Sequence, residues 1–165
     1  QQRYDEGEAM IRRLLTEVEN RYGETHQHYL LLSYNLTELL NILGRFDEAL
    51  AQAERTTDLM REVLGQGHPF VRLSESNRAQ SLAGLGRGDE ALALHEQARS
   101  AVIAAMGFDH PYSLTVRRQA IESRERLAPG SVPEADILTL IETYIRQTSA
   151  EHPETRKARA LMNRS

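Results

Sequence analysis

The sequence of 165 residues contains no cysteine and no tryptophan, and aromatic residues make up only 5% of it. Without thiols there can be no disulfide staples, no thiolate nucleophile and no thiolate-ligated metal centre. Lys157 is the only lysine, so the basic residues are nearly all arginine, a bias that fits a GC-rich bacterial genome. The formal net charge is -4, so no overall basic field favours nucleic acid or an anionic membrane. No apolar run reaches the roughly eighteen residues that a membrane helix needs. No charged-then-apolar leader is visible. Cysteine-free composition fits a cytoplasmic address. The hydrophobic content of 40% and charged content of 27% are those of an ordinary globular protein. The length allows one domain with a sizeable core. The sequence opens at Gln1 inside a helical pattern, without an initiator methionine, so residues 1–165 read as one domain cut from a longer protein.

Strand signals are missing too: no segment alternates apolar and polar residues with β-branched enrichment. What is present is a period. His68-Pro69, His110-Pro111 and His152-Pro153 are spaced 42 and 42 residues apart, and His26 lies 42 before His68. Gly23, Gly65 and Gly107 share the offset, as do Gly44-Arg45 and Gly86-Arg87. Asp47-Glu48-Ala49-Leu50 returns unchanged as Asp89-Glu90-Ala91-Leu92. A catalytic group is needed once, whereas a residue needed in every layer of a stack recurs once per layer.

Each period holds two helical patterns. Phe46, Ala49, Leu50, Ala53, Thr57, Met60 and Leu64 follow three-four spacing, and Gly65 supplies a stop. Proline is tolerated in the first turn of a helix and pushes the residue before it towards extended backbone, so His-Pro marks a helix start. Histidine is a mediocre N-cap residue, and its recurrence reads instead as packing against the preceding helix. The expected helices are 4–22, 28–43, 46–64, 69–85, 88–106, 111–127, 134–148 and 153–163. Ala128 to Pro133 reads as a local insertion in one turn.

A helix, a Gly-Arg turn, a Asp-Glu-Ala-Leu start to the second helix, a glycine and His-Pro together resemble the tetratricopeptide repeat. The period of 42 residues is similar to the longer repeats of kinesin light chain and of many bacterial signalling proteins. The resemblance covers nearly the whole chain. It implies an all-α, right-handed superhelical solenoid of antiparallel helix pairs, about eight helices, with the helices after His-Pro lining a concave face. The family's small residues of the second helix are carried by Ala49, Ala91 and Ala98, with Thr56 in the equivalent earlier place; Ala53 and His95 stand where the family has a large aromatic.

The resemblance also implies a non-catalytic role in binding a peptide or partner domain on that concave face, within a bacterial regulatory protein. Position six of the first helix falls on Asn35, Asn77 and Gln119, a carboxamide in each of three layers, able to donate to and accept from a peptide backbone. Neighbouring groove positions are Tyr34, Glu38 and Asn41, then Ser76 and Gln80, then Arg118, Glu122 and Arg126. The two arginines suit acidic groups on a ligand. Lysines that clamp a terminal carboxylate in some relatives are absent, with Leu31, Leu73 and Thr115 nearby.

Other classes fare worse. The recurring histidines occupy successive layers and cannot share one zinc ion, and His95 lacks the second histidine of a metalloprotease helix. No nucleophile arrangement stands out, and no metal or cofactor is expected. Gly84 to Asp89 follows a helix and lacks the Lys-Ser/Thr of a phosphate loop. Arg117, Arg118, Arg124 and Arg126 make one modestly basic helix, but no nucleic-acid partner is expected. The remaining alternative is self-association through the unpartnered first and last helices, or an autoregulatory domain beside a kinase, ATPase or transcription regulator.

Overall fold

A computed structural model describes residues 2–163. Its elements are α1 (Gln2–Tyr22), α2 (Gln27–Ile42), α3 (Phe46–Leu64), α4 (Pro69–Gly84), α5 (Gly88–Met106), α6 (Pro111–Leu127), α7 (Glu134–Gln147) and α8 (Pro153–Ala160), closed by a 3-10 turn over Leu161–Asn163. Among the described residues there is no strand. The helices pair as antiparallel hairpins and stack into a right-handed superhelical solenoid, with α2, α4, α6 and α8 on the inner side. The expected boundaries hold within two residues, except at the last helix, which ends at Ala160 in favour of the 3-10 turn.

Two turn chemistries generate the period. After α2 and α4 the chain reverses through Gly44 and Gly86, at φ 74 and 76. The amide of Arg45 then donates to the Leu40 carbonyl at 3.0 Å, and that of Arg87 to Leu82 at 2.9 Å. This six-to-one closure needs a left-handed residue, which glycine supplies without a Cβ clash. After α1, α3 and α5 the glycine at φ 82 to 92 accepts from the amide of the histidine three residues on.

Those histidines correct the expectation drawn from sequence. In each of His26, His68, His110 and His152 the backbone is extended and Nδ1 accepts a hydrogen bond from the amide two residues later, at 3.2 to 3.3 Å. The imidazole is therefore the N-cap, satisfying one of the orphan amides of the first turn. Packing is a second duty: the His68 and His110 rings lie 5.3 and 5.1 Å from Phe70 and Tyr112.

Alanine sets the closeness of the stack. Ala49, Ala53, Ala91 and Ala98 are fully buried at helix crossings, as is Thr56. Buried leucines, Leu36, Leu40, Leu82 and Leu114 among them, fill the seam between layers. Ala128 to Pro133 replaces the glycine turn with a loop that Glu125 holds. Its carboxylate accepts from the amides of Gly130 and Val132 at 2.8 and 2.9 Å.

Candidate partner-binding groove

The three carboxamides expected to face a ligand sit in unlike surroundings. Asn35 is exposed, whereas Asn77 and Gln119 have no exposed surface. Gln119 Nε2 donates to Asn77 Oδ1 at 2.6 Å, and Asn77 Nδ2 donates to the Tyr34 carbonyl at 3.4 Å. Asn41 Nδ2 donates to the Asn77 carbonyl at 3.0 Å, while Asn41 Oδ1 accepts from Ser81 Oγ at 2.8 Å. The ladder thus stitches layers one, two and three to each other. The reading of Asn77, Gln119 and Asn41 as open peptide contacts is corrected: successive first helices approach so closely that the amides meet across the seam. A buried amide must be paired, and here the next layer supplies the partner.

The charged groove residues are also used internally. Arg118, whose side chain is only 4% exposed, has Nη1 2.7 Å from Glu122, Nε 3.2 Å from Glu154 and Nη2 3.6 Å from Glu38. Lys157 lies 3.1 Å from Glu38 and 2.8 Å from Glu154. Gln80 Nε2 donates to Glu122 at 2.7 Å. Helices α2 and α8, at opposite ends of the array, are therefore joined across the groove by Glu38 and Lys157. Burial opposes the Arg118 charge, but Glu122, Glu154 and Glu38 outweigh it and hold the guanidinium above its ordinary pKa. Burial likewise raises Glu154, yet Arg118 and Lys157 prevail and lower it. The Tyr34 hydroxyl is pushed up by burial, with Glu38 adding to the effect. The expectation that Arg118 waits for an acidic ligand is corrected, because three carboxylates of this chain already surround it. Lys157 and Glu154 went unnoticed as groove residues in the sequence, because nothing local tells how far the superhelix curls.

What stays open is one end of the concave side. Leu31, Asn35, Glu38 and Ile42 recur along a single face of α2, and Leu31 and Ile42 are 56% and 49% exposed. Beside Ile42 a cavity of about 250 Å³ runs from Tyr4 and Phe46, past Gln80 and Arg126, to the ion network at Glu38, Arg118 and Lys157. The Arg126 guanidinium lies over the Phe46 ring at 4.8 Å from its centre. Among the described residues no three His, Cys, Asp or Glu side chains group as metal ligands. Nor is any helix of the described residues long and apolar enough to cross a membrane.

A curled stack of helical hairpins, stitched layer to layer by Asn41, Asn77 and Gln119, is the architecture of a helical repeat array. The tetratricopeptide repeat family matches the sequence at residues 34–70 and 76–112. Two crystal structures of nearly identical TPR-like repeats, from a Podosopora anserina protein assigned as a kinesin light chain, are similar over 98% of this chain. Each gives a TM-score of 0.63, at 17% identity over 76% of the one chain and 16% over 84% of the other. No curated protein matches significantly. Two periods of the chain thus carry the tetratricopeptide repeat signature, and the stack as a whole has the fold of the TPR-like repeats.

Proposed function

We propose that this chain is a non-catalytic protein-interaction module that engages a segment of its partner along the α2 face. The observation that carries this reading is the stripe of Leu31, Asn35 and Ile42 at the open end of the concave side, next to a cavity walled by Tyr4 and Phe46. Exposed apolar side chains grouped around a cleft mark interaction sites more often than scattered ones do. Asn35 is the carboxamide left free to pair with a partner's backbone, and Arg126 is the groove arginine outside the internal ion network. Asn77, Gln119, Tyr34, Glu38, Asn41, Gln80, Arg118 and Glu122 then set the groove's shape. The setting proposed is a cytoplasmic, bacterial regulatory protein, of which residues 1–165 form one domain; the repeat type supports that reading.

The test begins with peptides selected from a random display library on the immobilised protein. Their affinity is then compared for Leu31→Asp, Ile42→Asp and, on the far side, Leu138→Asp. Loss of about tenfold or more is expected at the two α2 positions, with circular dichroism unchanged. Undiminished binding to both α2 variants would remove the assignment. Self-association is the second reading, favoured by Met10 on α1, which is 57% exposed. Sedimentation over a range of concentrations separates it from partner binding.

A further inference from the structure

A cleft of about 350 Å³ opens between α5, α6 and α7, on the outside of the stack and away from the α2 stripe. It exists because the loop through Ala128 to Pro133 interrupts the regular turn before α7. Its apolar walls are Leu92, Phe108, Ile121 and Val132, and two arginines of α6, Arg117 and Arg124, line it.

Comparison with the other layers shows how unusual those arginines are. Subtracting the period of 42 from Arg124 leads to Leu82 and then Leu40, both buried core residues. The same operation takes Arg117 to Glu75. Glu75 is buried and bound on both sides, by Arg61 at 2.9 Å and Arg72 at 2.7 Å. In the next period, Ile103 and Leu114 stand where those two arginines were. The third layer has therefore inverted the charge at one position, lost its partners, and put a solvent-exposed cation where the other layers bury a leucine.

Neither arginine finds a carboxylate within ion-pair distance among the described residues. Arg117 Nη1 is buried with no hydrogen-bond partner, and its guanidinium rests on the Phe108 ring at 4.1 Å. Arg99 across the cleft is already held by Glu96, and Asp109, more than Asp136 on α7, attracts Arg117, both from beyond ion-pair distance. A buried guanidinium proton without an acceptor is costly, and a ligand oxyanion is the group that would satisfy it.

We infer that the α5–α6–α7 cleft is a binding site for a small organic anion, with Arg117 and Arg124 taking a carboxylate or phosphate and Ile121, Val132, Leu92 and Phe108 covering its apolar body. The volume lies at the lower end of ordinary small-ligand sites, roughly 300–1,000 Å³, so the occupant is about the size of one aromatic acid. The inference is independent of partner binding at α2.

Benzoate, phenyl phosphate and uncharged benzamide serve as probes, titrated to millimolar concentration into nitrogen-15-labelled protein and followed by amide shifts. Benzoate or phenyl phosphate should shift Ala120, Ile121, Val132 and Thr139, and benzamide should not. The stronger binder of the two anions identifies the oxyanion as carboxylate or phosphate. Arg117→Gln and Arg124→Leu should each weaken binding by about tenfold. Arg124→Leu restores the residue of the other layers, so its melting temperature should equal or exceed that of the parent. Benzamide binding as well as benzoate, shifts confined to the groove, no shifts at all, or full affinity in both variants would each overturn the assignment.

Discussion

Acidification should weaken this protein through a single buried histidine. His95 is 2% exposed, with Nδ1 3.2 Å from Ser76 Oγ and Nε2 2.7 Å from Ser123 Oγ. Burial, with Arg124 adding repulsion, lowers its pKa from 6.5 to about 3. The unfolded chain takes up a proton near pH 6.5, and the native state does not until about pH 3. A depressed folded-state pKa means that the stabilisation is complete above pH 6.5 and is lost as pH falls from there. The slope is about 1.4 kcal/mol per pH unit, so between pH 7 and pH 5 roughly 2 kcal/mol disappears. For a domain whose total stability is about 5–15 kcal/mol, that is easily measured. Urea denaturation at both pH values, on the parent and on His95→Gln, isolates the effect, since the N-cap histidines are common to both. The variant, lacking the titrating ring, should lose about 2 kcal/mol less than the parent over this interval. Equal losses in the two proteins would refute the argument.

Two further predictions concern the repeat itself. His68→Ala should cost about 1 kcal/mol in thermal denaturation by removing the acceptor for the Phe70 amide, while His68→Asp, whose carboxylate accepts the same N–H, should be close to the parent; equal losses in both would mean that the ring's packing on Phe70 matters more than the cap. Gly84→Ala sets helix propensity, which favours alanine by about 1 kcal/mol, against a Cβ that would sit 2.3 Å from two carbons of the Phe46 ring. Overpacking costs about 1–3 kcal/mol, so a net loss is expected, and the same change in a Phe46→Ala background should stabilise.

The helices were legible because their signals are local. Gly44 and Gly86 end helices through their own φ angles, His-Pro starts them through proline's constraint, and the period of 42 residues repeats both. The loop before α7 was visible as a break in that period, but its consequence, the cleft lined by Arg117 and Arg124, was not. The groove was half legible. Position six of each inner helix could be counted to Asn35, Asn77 and Gln119, yet only Asn35 is open to a partner. His95 read as a gap in the family pattern, and only Ser76 and Ser123, 19 and 28 residues away in the chain, explain why an imidazole is tolerated there.

The amino-acid sequence by itself determined the all-α class, the hairpin unit and the layer count, because those follow from spacing along one helix and from the chemistry of single turns. Tertiary structure alone decided which polar residues remain accessible. The curl of the stack brings Glu38 of the first layer against Lys157 of the last, 119 residues apart, and presses Asn77 onto Gln119. Such distances arise from small rotations summed over successive layers, and no local pattern of residues records the sum.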